Sequence, residues 1–192
     1  RGLGDVYKRQ PLQMAVKLAT LTKKINLVTS VAVLPLHDMR TYAGEVAVAD
    51  ILTGGRLILG VARGAFAWEM GRLGSPIEDS KEKFIESLEV LESLLTKENF
   101  SYEGKYYQFD SMTIMPRPIS NPVPIMIAAM DPSSIRNAAA DGYHVQSTVL
   151  SGTKKILLER TDAFKEGKEK SKENGKIIKF IKNMPRAFMI YR

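Results

Sequence analysis

Residues 50–64 read Asp50-Ile-Leu-Thr-Gly-Gly-Arg-Leu-Ile-Leu-Gly-Val-Ala-Arg-Gly64, and this stretch decides the fold. A helix is expected to stop at Thr53-Gly54-Gly55, where glycine supplies the left-handed ending. The unbroken apolar run Leu57 to Ala62 then reads as a strand covered on both faces, because such a strand loses its polar alternation. It ends on Arg63-Gly64, a fixed cation beside a residue that lets backbone approach a ligand. Ligands of α/β proteins bind at the carboxyl ends of the strands, so Arg63 is an anion-site candidate by position. The plainer alternative is a surface arginine that closes a strand.

Working outward, Pro11 suits the first turn of a helix with Leu12, Ala15, Leu18, Ala19 and Leu21 on one face. Ile25 to Leu34 reads as one long buried strand stopped by Pro35. Thr41 to Leu52 reads as a helix with Ala43, Val46, Ala47 and Ile51 inward. Asp79 caps a further helix with Glu82 as capping-box partner, and its buried stripe is Phe84, Ile85, Leu88, Leu91, Leu94 and Leu95. Tyr102 to Tyr106 forms a hairpin turn, followed by a proline-spaced connector from Pro116 to Pro124. Ile125 to Ala129 is a strand, Ser133 to Ala140 a helix and Tyr143 to Thr148 a weaker strand. A basic helix from Thr153 to Asn174 and a strand from Arg186 to Tyr191 complete the series.

Strand–helix alternation of this kind predicts a parallel sheet with right-handed crossovers. Five strands are present where a closed barrel takes eight, so the expected fold is α/β, a partial (β/α)8 TIM barrel. A five-stranded doubly wound domain competes, but its glycine-rich phosphate turn is absent after the first strand. Residues 1–10 show no apolar period and read as a non-native leader, which leaves 11–192 as the barrel fragment. An unclosed barrel leaves sheet edges unpaired, so the piece alone is expected to be a poor catalyst.

Composition narrows the function classes. The 192 residues are 44% hydrophobic and 26% charged, with no cysteine and two histidines, His37 and His144. Disulfides are excluded, a reducing, cytoplasmic setting fits, and neither a cysteine nor a histidine-rich metal centre is expected. No run reaches the length of a membrane span. The net charge of +7 comes from the last segment, chiefly Lys165 to Lys182, where glutamates interleave with lysines at helical spacing. A solvated helix face accounts for it better than nucleic-acid binding.

Several segments, taken together and in order, resemble the bacterial-luciferase-like family of flavin-dependent monooxygenases. They are Leu34-Pro-Leu-His-Asp38, Glu45 followed by Asp50 to Arg56, Leu59-Gly-Val-Ala-Arg-Gly64, Tyr102-Glu-Gly-Lys-Tyr-Tyr107, Met115-Pro-Arg-Pro118 and Pro124-Ile-Met-Ile-Ala-Ala129. The resemblance implies a (β/α)8 barrel holding flavin across the strand ends, with these segments as its third to seventh strands. It makes Arg63, beside Gly64, the arginine that holds the flavin phosphate. It carries the second phosphate contact to Met130-Asp131-Pro132-Ser133-Ser134, with Ser133 and Ser134 as donors at a helix start. It also places a non-proline cis peptide at Ser30-Val31, shaping the flavin seat.

The implied activity is a monooxygenase using reduced FMN and oxygen on a small organic substrate, with a flavin reductase as partner and a homo-oligomer as parent. Deazaflavin-dependent hydride transfer in the same fold, or flavin binding without turnover, are the alternatives. No acid–base dyad is required, because the cofactor carries the chemistry. Three positions depart from the family pattern: Met39, Gly44 and Asp131. Asp131 opposes a phosphate unless it turns to cap the helix. His37 is the one weak catalytic candidate and otherwise a loop or capping residue. Phe66 and Trp68 line a pocket or pack under a loop. Glu45 and Asp50 are expected in structural ion pairs or caps, Arg56 in a stabilising role, and His144 in core or surface.

Overall fold

Pro11 has no N–H to lose at a helix start, and α1 (Pro11–Ala19) begins there. The computed structural model describes residues 10–148 and 153–175. The expected leader up to Arg9 and the expected strand Arg186 to Tyr191 lie outside those residues. Helix α1 buries Leu12, Ala15 and Ala19, whereas Leu18 and Leu21 are exposed. The apolar face is narrower than the sequence predicts because the helix stops at Ala19 and Leu21 falls in the following turn.

The chain divides between Val123 and Pro124 into two compact units. In the first, β1 (Leu27–Val28) and β2 (Ala32–Val33) both pair parallel with β3 (Leu57–Ala62). The expected single strand from Ile25 to Leu34 is thus broken in two. Ile25 is exposed, and Leu34 opens a 3-10 turn, Leu34–Leu36, that contains Pro35. Strand β3 matches its predicted bounds, with Leu57, Ile58, Leu59 and Val61 buried. Each such side chain contributes roughly 1.5–3 kcal/mol when removed from water.

Between β2 and β3 runs α2 (Met39–Leu52). It starts two residues earlier than predicted because the Asp38 carboxylate accepts the Arg40 N–H at 2.9 Å. Ala43, Val46 and Ala47 are inward as expected, but Ile51 is exposed and Asp50 takes the buried position. After β3 come α3 (Ala67–Arg72) and α4 (Ser80–Thr96), the latter burying Leu88, Val90, Leu91, Leu94 and Leu95. Ile85 is exposed rather than buried. The capping box does not form: the Asp79 side chain makes no cap bond, and Glu82 accepts from Lys105 Nζ at 2.8 Å instead.

The hairpin pairs β4 (Phe100–Glu103) with β5 (Gln108–Met112), antiparallel. Its loop is received by one carboxylate on α4. Glu86 Oε1 accepts the N–H groups of Tyr106 and Tyr107 at 2.9 and 2.8 Å, and Oε2 that of Lys105 at 3.2 Å. Arg117, in the proline connector, donates to the carbonyls of Leu94, Leu95 and Lys97 at 2.8–3.1 Å and so caps the carboxyl end of α4. Arg56 plays the stabilising part expected of it, donating to Thr53, Ile25 and Ala19 carbonyls and to Thr22 Oγ1.

In the second unit β6 (Ile125–Ala128) is joined through α5 (Pro132–Ala140) to a parallel partner, β7 (His144–Gln146). Helix α6 (Lys154–Glu173) packs on α5 through Ala163, Gly167 and Ser171, small residues spaced by four. A Cβ on Gly167 would meet the Arg136 carbonyl oxygen at 2.3 Å, so only glycine allows this approach. The remaining face of α6 carries i,i+3 ion pairs, Lys165 to Asp162 and Lys172 to Glu169, as a solvated helix does.

Asp50 is fully buried and makes no ion pair with a described residue. Its two oxygens accept the N–H and the hydroxyl of Ser120, each at 2.8 Å, which ties the proline connector to the end of α2. Asp50→Ala leaves both donors unmet and is expected to cost about 2 kcal/mol, a fall in melting temperature of about 4–8 °C. A melting curve superimposing on that of the unaltered chain would refute this role.

Candidate functional site

Strand β3 delivers Arg63 and Gly64 at its carboxyl end. Gly64 has φ +95, and a Cβ there would sit 2.4 Å from Met70 Sδ, so buried Met70 of α3 underlies the turn and glycine is required. Arg63 is exposed. Arg40 pairs with Asp38, Arg136 with Glu166, and Arg56, Arg117 and Arg160 donate to carbonyls, while Arg72 stacks over Trp68. Among the described arginines Arg63 alone has no hydrogen bond, ion pair or ring contact with a described residue. A guanidinium held at a strand end without a counter-charge keeps its whole donor fork for an external anion.

The peptide between Ser30 and Val31 is cis, at the place the family resemblance assigns. Ser30 is exposed and Val31 half-buried, in the break between β1 and β2. His37 follows the Leu34–Leu36 turn. Its N–H donates to the Leu34 carbonyl at 2.9 Å, and its ring stacks on Tyr42 at 4.5 Å. Its carbonyl accepts the Tyr107 hydroxyl at 3.2 Å. A cleft of about 350 Å³ lies beside it, bordered by Asp38, Arg40, Lys83 and Tyr106, and does not include Arg63. Burial lowers the His37 pKa, against the opposing pull of Glu45. Phe66 and Trp68 stand half exposed beyond Arg63, ring centroids 6.3 Å apart, rather than packed in the core.

In the second unit Met130 and Asp131 follow β6, both exposed, with Ser133 and Ser134 in the first turn of α5. Asp131 takes the capping position. Its Oδ2 accepts the Ser133 hydroxyl, the Ser134 N–H at 3.0 Å and the Ser134 hydroxyl at 3.3 Å. These bonds, the Ser133 hydroxyl first, hold its pKa below the ordinary carboxylate value. The donors expected to receive a phosphate therefore already serve an internal carboxylate. Sequence reasoning missed Thr29, whose hydroxyl bonds both backbone groups of Gly60, Gly60 itself, and Met70, which lies against the Gly64 turn. A glycine inside an apolar strand run is the signal that could have found one of them.

The profile of luciferase-like monooxygenases matches residues 2–183. The chain belongs to the luciferase-like monooxygenase family. It is 34% identical over 143 residues to the oxygenase component of a flavin-dependent trigonelline monooxygenase from Acinetobacter baylyi, over 73% of this chain and 39% of that protein. It is 37% identical over 131 residues to an F420-dependent glucose-6-phosphate dehydrogenase from Nakamurella multipartita, over 64% of this chain and 37% of that one. Monooxygenase RslO1 from Streptomyces bottropensis superposes with TM-score 0.80 at 23% identity, over 86% of this chain and 51% of its own.

The fold is thus α/β, a partial (β/α)8 arrangement of the luciferase-like type, and the doubly wound alternative falls away. The chain spans about half the length of the solved relative and less of the two sequence relatives. Relatives within this family use a flavin or F420. The residues present fit the phosphate of such a cofactor at one point above all, the guanidinium of Arg63, unpaired among the described residues and carried on the Gly64 turn over Met70.

Both histidines of this luciferase-like chain are disfavoured as cations: His37 by burial, His144 by burial and then by Lys168. Their folded pKa values lie below the ordinary 6.5, so the unfolded chain binds more protons. The resulting stability is complete above pH 6.5 and is lost as pH falls through the folded values. The urea midpoint should drop between about pH 7.5 and about pH 5.5, and the double variant His37→Asn, His144→Gln should flatten that slope. A pH-independent midpoint in the unaltered chain would contradict this assignment.

Proposed function

We propose that this chain is the cofactor-holding part of a reduced-flavin-dependent monooxygenase that oxygenates a small organic substrate, with FMN as the cofactor. The exposed guanidinium of Arg63 at the end of β3, unpaired among the described residues, carries this reading. Arg63 would hold the phosphate dianion through its guanidinium fork, and Gly64 would keep the turn that presents it. Ser30 and Val31 form part of the seat for the ring. Within the second unit taken by itself, Met130 and Asp131 border a helix start whose Ser133 and Ser134 are the proposed anion donors, once Asp131 releases them. Bound reduced flavin supplies the electrons and the activation of oxygen; the chain supplies orientation and exclusion of water.

The likeness to an enzyme named as an oxygenase component supports a separate flavin reductase as partner. A cytoplasmic location fits a chain without cysteine, and a homo-oligomeric parent completes the proposal. The second reading, hydride transfer with F420, is favoured by the 37% identity to an F420-dependent dehydrogenase. Oxygen uptake separates them: a monooxygenase consumes oxygen with reduced FMN, and the F420 enzyme consumes none with either cofactor. A flavin carrier would bind without any turnover.

In a titration of the intact protein with reduced FMN, Arg63→Ala should raise the dissociation constant more than tenfold, about 1.4 kcal/mol. Unchanged affinity rejects the phosphate role. Asp131→Ser, which removes the carboxylate but keeps a capping hydroxyl, should tighten FMN binding. Asp131→Ala should lower stability by about 1 kcal/mol. Weaker FMN binding by Asp131→Ser would exclude Ser133 and Ser134 as phosphate donors.

A further inference from the structure

Strand pairing shifts by one residue in the middle of the first unit. Leu27 and Val28 stand opposite Leu57 and Ile58, but Ala32 and Val33 stand opposite Val61 and Ala62. Thr29, Ser30 and Val31 therefore occupy the space that Leu59 and Gly60 span on β3. The surplus residue must leave the ladder, and something must take up the hydrogen bonds it abandons.

Thr29 does so. Its hydroxyl accepts the Gly60 N–H at 2.7 Å and donates to the Gly60 carbonyl at 3.1 Å, while its own N–H donates to the Ile58 carbonyl at 3.1 Å. One side chain thus replaces the missing backbone partner of Gly60 on both sides. The contact is possible only because Gly60 has no side chain: a Cβ there would lie 1.9 Å from the Thr29 carbonyl oxygen and 3.4 Å from Val31 Cγ1. Thr29 is 2% exposed, so no water substitutes for its hydroxyl.

We infer that Thr29 and Gly60 are positioning residues. They fix the one-residue bulge so that Ser30 and Val31 stand at a set distance from Arg63 on the same pair of strands. Arg63 lies just beyond the end of β3, three residues after Gly60, about 10 Å at the rise of a strand. A ribityl phosphate tail covers that span between ring and anion. The inference rests on the cofactor reading above and adds how the chain spaces the two ends of its ligand.

The test uses three variants of the intact protein, titrated with FMN and with F420 and followed by amide hydrogen exchange at Gly60. Thr29→Ser keeps the hydroxyl and should bind the cofactor within about threefold of the unaltered chain. Thr29→Val keeps the shape, loses both bonds, and should bind at least tenfold more weakly, with an altered visible circular dichroism of the bound cofactor and faster exchange at Gly60. Asp50→Ala, destabilised at a place remote from the bulge, should bind normally.

Equal binding by Thr29→Val and the unaltered chain overturns the inference. So does an equal loss in Asp50→Ala, which would mean that only stability is being sensed. If the unaltered chain binds neither cofactor, the cofactor reading falls by itself. Gly60 exchange then decides the bulge, and unchanged protection in Thr29→Val overturns it.

Discussion

The hydrogen bonds that join β3 to the two short strands beside it set the position of everything else in the first unit. Strand β3 is apolar on both faces and buried, so it has one depth at which it is stable. With that depth fixed, its carboxyl end can only present Arg63 and Gly64 beyond the ladder, and Met70 closes the turn from below. The neighbouring strands reach β3 in two registers rather than one. The Thr29 hydroxyl makes that discontinuity affordable, because a buried, unpaired Gly60 amide would otherwise oppose it.

Charge is used in two opposite ways. Arg56, Arg117, Glu86 and Asp50 serve mostly backbone groups, each gathering two to four donors or acceptors, most of them from segments distant in sequence. These groups tie helix ends, the hairpin loop and the proline connector together, and their charges are answered inside the protein. Arg63 is unanswered among the described residues. The phosphate role proposed for Arg63 rests on that open donor fork. Asp131 shows the converse: a carboxylate bonded to a helix start stabilises α5 and competes with any incoming anion.

Strands β3 and β6 and helices α5 and α6 were legible from the sequence nearly to the residue, the strands from their apolar runs, α5 from its small residues and α6 from lysines and glutamates at helical spacing. The misplacements share one cause. Leu18, Ile51 and Ile85 have the right period but face away from the unit's core, because periodicity reports a face and not which neighbour covers it. Glu82 was expected to look back to its own helix start and instead meets Lys105 from the hairpin, a partner distant in sequence. The interruption at Ser30 and Val31 left no trace in the hydropathy of Ile25 to Leu34, whose β-branched residues read as continuous strand.

What the sequence determined by itself was the order of strands and helices, the ending of β3 on a cation and a glycine, and membership of a luciferase-like set of motifs. Those are local properties, set by side-chain type, helix stops and spacing along one segment. Tertiary structure alone decided that Arg63 stays unpaired among the described residues while Asp50 finds Ser120, and that Thr29 bridges a register slip over Gly60. Each of these depends on which groups from separate segments arrive within hydrogen-bonding distance, and no local pattern encodes that.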